Sequence, residues 1–248
     1  MIISQYIGDK QLINKKNLYN DTIGCVEYIQ HMGDDLTIVN AARVSFGVEK
    51  DKVDERDKKL IRYLVKNRHT STLEHNVVTL KFTVPLFVRG QHHRHRTWSY
   101  NEISRRYTDV NIQFYEPEEF RTQHKSNRQA SNEEGLINPI VELYDPMCST
   151  PLRVTAADIV KNHHKDALKL FDSLLDAGVC REQARGLLPQ NMYTQYYGTV
   201  NLNNLIKFIH LRDNEHAQWE IQKVAQACKE IATELWPVAM QTYNELKK

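Results

Sequence analysis

The densest group of chemically capable side chains in this sequence lies between residues 89 and 107, which read RGQHHRHRTWSYNEISRRY. We call this stretch the basic segment. It carries five arginines but a single acid, Glu102. Guanidinium groups form bidentate, charge-assisted hydrogen bonds with phosphate, and the neighbouring Trp98, Tyr100 and Tyr107 can pack against a flat ring. The composition indicates a site for small molecules that carry both a phosphate and a ring.

Two other interpretations fit the basic segment. A solvated basic face or a nucleic-acid surface would also combine arginines with aromatic rings, although the net charge of +2 is small for a nucleic-acid binder. A metal site could use His92 and His95, but no carboxylate or cysteine completes a recognisable ligand set, so no metal is predicted. The sequence has neither GxGxxG nor GxxxxGK[ST], and a Rossmann dinucleotide site and a P-loop are therefore not supported.

The spacing within the basic segment matches a known signature. Arg94, His95 and Arg96 are followed after seven residues by Ser104, which resembles the RHRx7S signature of flavin-dependent thymidylate synthases. Further stretches resemble the same family in the same order. They are NAARVS from residue 40, HTSTLEH from residue 69, NMYT from residue 191 and LRDNEHAQWEI from residue 211. The resemblance runs from about residue 35 to the C-terminus and is weakest over 108–150.

The resemblance implies a set of residues that contact FAD. Two of them, Asn203 and Lys207, stand where relatives often carry other polar residues, and the lysine could meet a phosphate only as a point charge. The implied flavin contacts are Ser71, Glu74, Arg94, His95, Arg96, Glu102, Asn201, Asn203 and Lys207.

A second implied set binds the nucleotide dUMP. Arg212 matches the arginine that lies beside the uracil in this family and favours its ionised form. A cation there would stabilise negative charge on the ring and make C5 more nucleophilic, so Arg212 is the expected catalytic residue. The implied nucleotide contacts are Gln91, His92, His93, Arg94, Glu102, Ser104, Arg105, Arg106, Arg185 and Arg212.

The implied reaction is the reductive methylation of dUMP to dTMP. Methylenetetrahydrofolate would donate the carbon, and FAD reduced by NADPH would supply the hydride. This family uses no enzyme nucleophile, and indeed Cys25, Cys148, Cys180 and Cys228 all lie outside the basic segment. The resemblance also implies a homotetramer with active sites at subunit contacts. A flavoprotein of other activity, such as an NADPH oxidase, stays open, and dependence on dUMP would separate the two.

The pattern of apolar residues predicts the elements that position these side chains. Helical spacing and breakers predict helices over 35–46, 57–68, 154–178, 202–211 and 215–247, the last interrupted at Pro237, with another opened by Pro85. Strands are predicted over 77–84 and 193–200, and 108–150 is predicted to be mostly loop. This order favours an α+β fold, one domain over residues 1–248 with a mixed sheet and long helices.

The remaining expectations concern the environment of the protein. The cysteine spacing resembles neither a zinc site nor a disulfide framework, so four reduced thiols are expected. Residues 1–6 do not resemble a signal peptide, and no apolar stretch is long enough to span a membrane. We expect a cytoplasmic protein that associates with neither membrane nor nucleic acid.

Overall fold

The structure is a computed structural model that describes residues 15–128, 130–144 and 151–247. The expectations for residues 1–6 and for Cys148 lie outside the described residues. The described cysteines, Cys25, Cys180 and Cys228, are all free. In the described part of the chain, no helix combines the length and apolar character needed to cross a membrane.

A five-stranded antiparallel sheet forms the centre of the molecule, in the order β1-β2-β3-β9-β4. Its strands are β1 (Lys15–Asn17), β2 (Cys25–Met32), β3 (Val77–Pro85), β4 (Ser99–Glu102) and β9 (Tyr193–Asn201). All pairings between the described strands are antiparallel, so the expected mixed sheet is wrong in this respect. Two parallel neighbours need a crossover connection, so that the second strand runs in the same direction as the first. Here the chain reaches each neighbouring strand running in the opposite direction.

Helices pack against this sheet and bury its core. Leu80 and Phe82 of β3 are fully buried among side chains of the helices, including Phe208, Ile221 and Trp236. The helices of this layer are α1 (Asp35–Arg43), α2 (Glu55–Lys66), α3 (Leu86–His92), α6 (Leu202–Arg212), α7 (Trp219–Leu235) and α8 (Pro237–Lys247). The α+β class is therefore confirmed, whereas the assignment of one domain to residues 1–248 stays a prediction.

The predicted interruption at Pro237 is confirmed as the boundary between α7 and α8. Proline cannot donate the backbone hydrogen bond that would continue α7. The buried carboxylate of Asp35 instead accepts hydrogen bonds from the N–H groups of Val238 (2.8 Å) and Ala239 (3.2 Å). This contact fixes the start of α8 against α1.

A smaller layer lies beside the first and contains α4 (Ala156–Asp176) and α5 (Arg181–Ala184). Phe171, Ala184, Leu188 and Met192 form its own apolar cluster. Residues 108–150 were expected to be mostly loop, but they contain three strands, β5 (Phe120–Gln123), β6 (Ser131–Ile137) and β7 (Ile140–Leu143). β5 pairs antiparallel with β6, and β7 pairs antiparallel with β8 (Leu152–Thr155), which directly precedes α4. Most of their side chains are exposed, so the sequence lacks the alternating apolar pattern of a half-buried strand.

Candidate active site

The basic segment is held to the central sheet by its aromatic residues. The hydroxyl of Tyr100 donates to the backbone carbonyls of His92 (2.9 Å) and His95 (3.1 Å), which closes the turn between α3 and β4. Trp98 lies over Gly198 of β9, where an added Cβ would come within 3.1 Å of its ring. Glycine at this position allows the close approach, so the backbone of the segment is fixed before any ligand binds.

The three histidines of the segment occupy different environments. His92 is fully buried, and its Nδ1 lies 2.8 Å from the hydroxyl of Tyr196. Burial, together with the nearby His95, holds the pKa of His92 well below its ordinary value, so the ring is neutral. The ring of His93 stacks on Tyr100 with 4.1 Å between centroids. His92 therefore supports the segment from below, and the substrate contact that the resemblance implies for it stays a prediction.

A second group of residues meets at the C-terminal end of α6, and we call Gln91, Arg94, His95 and Arg212 the helix-end cluster. Arg212 donates from Nε to Nε2 of His95 (3.1 Å) and from Nη2 to the backbone carbonyl of Gln91 (3.4 Å). Burial and the charge of Arg212 lower the pKa of His95 to about 4. The neutral imidazole can therefore accept this hydrogen bond through Nε2.

The helix-end cluster has a positive charge. Burial and the neighbouring Arg94 both lower the pKa of Arg212, yet a guanidinium remains protonated in proteins. Arg94 itself is exposed. Two adjacent cations at a partly buried position attract an anion or a ring on which negative charge develops.

Glu102 is the last residue of β4. Its Oε1 accepts hydrogen bonds from Nε of Arg89 (3.1 Å) and from the hydroxyl of Thr194 (2.6 Å). The carboxylate borders a cleft of about 390 Å³ that Lys81 and Tyr197 also line. These two bonds fix one oxygen and orient the group toward the cleft.

A third group follows β4, and we call Ser104, Arg105, Arg106 and Arg185 the loop cluster. Arg105 is buried and donates to the carbonyl of Val110 (2.8 Å), so it braces the loop. Burial lowers its pKa. Arg106 lies 3.6 Å from the carboxylate of Glu182. The exposed Arg185 follows Glu182 by one helical turn, and neighbours at this spacing share one face.

The last group, the turn cluster of Ser71, Glu74, Asn201, Asn203 and Lys207, surrounds the N-terminal end of α6. Nδ2 of Asn203 donates to Oε1 of Glu74 (2.8 Å), and the side chain of Asn201 caps the helix. Lys207 is exposed and donates to Asn204 (3.3 Å). At about 1.5 Å per residue, the start of α6 lies about 15 Å from Arg212, and Lys207 lies about midway between them. Within this chain the turn cluster and the helix-end cluster are therefore separate groups, joined by α6.

Sequence reasoning gave no role to a buried carboxylate beneath the helix-end cluster. Glu220 in the first turn of α7 is buried and accepts a hydrogen bond from Arg121 (2.6 Å). Acidic residues are common in first turns because they offset the helix dipole, so the sequence gives no sign of burial there. Within the described residues, no three His, Cys, Asp or Glu side chains are grouped to hold a metal ion. The expectation of no metal stays a prediction.

Comparison with known proteins places this geometry in context. The family described as Thymidylate synthase complementing protein matches residues 27–238. The flavin-dependent thymidylate synthase of Thermus thermophilus is 42% identical over 222 residues, which cover 90% of this chain and 76% of that protein. The enzyme of the same name from Thermosipho melanesiensis is 37% identical over 220 residues, covering 89% of this chain and 90% of that protein.

A solved structure has a similar fold. It is a UMP/dUMP methylase, PolB, from Streptomyces cacaoi, bound with 5-Br dUMP. The TM-score is 0.72 at 30% sequence identity, and the match covers 89% of this chain and 94% of that chain.

Proposed function

The chain belongs to the flavin-dependent thymidylate synthase family, and from this premise we propose that it methylates dUMP reductively to dTMP. Methylenetetrahydrofolate is the proposed carbon donor and NADPH the proposed reductant of FAD. The observation that carries the proposal is the helix-end cluster, in which Arg212 donates to the neutral His95 inside the signature run (3.1 Å). This contact brings together the signature run and Arg212, which lie far apart in the sequence.

Arg212 is the proposed catalytic residue. One of its nitrogens donates to His95 and a second to the carbonyl of Gln91, so the plane of the guanidinium is fixed. A fixed cation beside the uracil stabilises the negative charge that develops on the ring without first having to reorient. The bonds to protein therefore support a preorganised electrostatic role.

The loop cluster is the proposed site for the phosphate of dUMP. Arg106 and Arg185 supply exposed guanidinium groups, while Ser104 adds a hydroxyl. Arg105 braces the loop through the carbonyl of Val110 (2.8 Å), and we assign it a supporting role here. Glu102, already oriented by Arg89 and Thr194, is proposed to accept a hydrogen bond from a ligand on the cleft side.

The residues proposed to hold FAD fit an anionic, ring-bearing cofactor. Arg94 and Arg96 are exposed cations, and the neighbouring His93, which is expected to contact dUMP, has its Nε2 buried without a protein partner among the described residues. Glu74 and Asn203 add a fixed carboxylate–amide pair (2.8 Å). When bound and reduced, the flavin would supply the hydride that completes the methyl group.

We also propose that the active site forms between copies of the chain in a homotetramer. The N–H of Ile103, beside the loop cluster, donates a hydrogen bond to the backbone carbonyl of Gln195 in β9. Asn201 of the turn cluster lies about 20 Å further along β9, at roughly 3.3 Å per residue. Large apolar side chains that follow α1 are open to solvent, including Val44 (72% exposed) and Phe46 (84%), and Val44 lines a cleft with His75, the residue after Glu74. Apolar groups this exposed favour contact with another subunit.

A cytoplasmic location is proposed from the thiols. Three free cysteines, one of them the exposed Cys180, are described in this chain. Free thiols are typical of reducing compartments.

The first test is a visible spectrum of the protein supplied with FAD and then titrated with dUMP, followed by an assay of dTMP. A retained flavin band that shifts on addition of dUMP, with dTMP formed only when the folate and NADPH are present, supports the proposal. A folded protein that retains no flavin, but binds oligonucleotides with a steep salt dependence, would favour the nucleic-acid interpretation.

A further inference from the structure

The carboxylate of Glu220 is a buried charge with a defined set of partners. The residue is 4% exposed and lies in the first turn of α7. Its Oε1 accepts hydrogen bonds from Arg121 (2.6 Å) and from the hydroxyl of Tyr115 (3.4 Å). Burying a charge costs several kcal/mol unless partners of this kind satisfy it. Glu220 is therefore firmly held on one side by residues 115–121.

The second oxygen of Glu220 faces the candidate active site through two amides. Oε2 accepts from Nε2 of Gln218 (2.9 Å), and Oε1 of Gln218 accepts from Nε2 of Gln91. A carboxylate can only accept hydrogen bonds, so Gln218 must turn its nitrogen toward Glu220. Its oxygen then faces Gln91, which must turn its own nitrogen toward Gln218. The charge at one end thus sets the direction of both amides.

This direction has a consequence for the ligand. With its nitrogen engaged by Gln218, the side chain of Gln91 has its carbonyl oxygen left to accept a hydrogen bond. The backbone carbonyl of the same residue accepts from Arg212 (3.4 Å). Gln91 therefore lies between the buried carboxylate and the arginine proposed to face the pyrimidine.

We infer that Glu220 is a positioning residue, which acts through Gln218 to hold Gln91 as an acceptor for a hydrogen-bond donor on the bound nucleotide. The inference rests on the proposed function, because it takes dUMP as the ligand beside Arg212. The donor is either the sugar hydroxyl or the ring N–H. Without the carboxylate, both glutamine amides are free to rotate, and half of their arrangements would present an N–H to that donor.

The test compares two variants with a matched control. Gln218→Met breaks the chain of amides but keeps the buried pair of Glu220 with Arg121, and Glu220→Gln keeps the shape but removes the acceptor-only group. Gln222→Met makes the same substitution at a nearby position of α7 whose amide bonds to the carbonyl of Asn214 (3.1 Å). Affinity for dUMP is measured by the change in the flavin spectrum, with FAD affinity and thermal stability measured alongside.

Gln218→Met and Glu220→Gln are expected to weaken dUMP binding about tenfold, as expected for the loss of one well-oriented hydrogen bond. The KM for dUMP should rise by the same factor while kcat changes less than about twofold, because the interaction is with bound substrate. FAD affinity in Gln218→Met, and every property of Gln222→Met, should stay at the wild-type level. A purely structural role would instead lower stability and FAD content together.

Two analogues identify the donor. If a sugar hydroxyl faces Gln91, wild type and Gln218→Met should bind the 3′-deoxy analogue of dUMP with equal affinity. If the ring N–H faces Gln91, the two proteins should instead bind N3-methyl-dUMP with equal affinity. Unchanged dUMP affinity in Gln218→Met, when the wild type binds dUMP, would overturn the inference and leave the proposed function intact. A wild-type protein that binds FAD but no dUMP would overturn both.

Discussion

At the scale of single residues, Arg212 carries the proposed chemistry and can be removed without touching the core. Arg212→Ala is expected to retain FAD but to lose dTMP formation by about 10²- to 10³-fold, the usual effect of deleting one preorganised charge-stabilising donor. Flavin absorbance after gel filtration reports retention, and a dTMP assay reports turnover. The exposed Arg62 of α2 gives a matched control, since Arg62→Ala removes the same charge elsewhere. An active Arg212→Ala enzyme would contradict the assigned role.

The histidine beside Arg212 predicts a dependence of stability on pH. The pKa of His95 is lowered to about 4 in the folded chain, whereas an unfolded histidine titrates near 6.5. Between these values the unfolded chain binds the extra proton and the folded chain does not, so acid favours unfolding and stability is lost as pH falls through this window.

We therefore expect the urea midpoint to decrease from pH 7 to pH 5. His95→Gln keeps an acceptor for Nε of Arg212 and cannot be protonated, so its midpoint should decrease less steeply. The buried His92, whose pKa is also lowered, leaves part of the slope in the variant. If the urea midpoint of the two proteins decreased equally with pH, the pKa of His95 would be the same in the folded and unfolded chains, which would contradict the prediction.

At the scale of elements, the close contact of β9 with the basic segment depends on one glycine. A Cβ at Gly198 would lie 2.9 Å from the ring of Phe82 and 3.1 Å from that of Trp98. Gly198→Ala is expected to destabilise the protein by about 1–3 kcal/mol, the usual cost of overpacking, and to weaken FAD binding because Trp98 must move. Urea unfolding measures the first effect. Gly186→Ala, where no atom lies within 4 Å of the added Cβ, should change stability far less.

The same elements show what the sequence could predict. The helix α4 and the strand β3 have buried residues at regular spacing, and both were predicted close to their observed bounds. The strand β4 reads SYNE and pairs with β9 through backbone groups, so no apolar pattern marks it. β2 also went unpredicted, since its first residues are buried and its last four are exposed. Strand pairing depends on a partner that is distant in sequence, and local patterns do not contain it.

The candidate site, too, could be predicted only in part from the sequence. Residue type and spacing identify the signature arginines, but they do not separate an arginine that faces solvent, such as Arg106, from one buried to brace a loop, such as Arg105. The role of Glu220 depends on Arg121, 99 residues earlier in the chain. Such pairings become visible only when the fold brings the two residues together.

At the scale of the whole molecule, the separation of the clusters predicts that inactive chains can restore one another. Arg212→Ala disables the helix-end cluster, and Ser71→Trp places an indole on the exposed surface of the turn cluster, where it should block the flavin. If each site takes these clusters from different subunits, random mixing leaves about a quarter of the sites intact. We expect dTMP formation to return toward that level after the two variants are unfolded and refolded together. Light scattering confirms assembly, and each variant refolded alone is the control. A mixture that assembles but stays inactive would place both clusters of each site in a single chain.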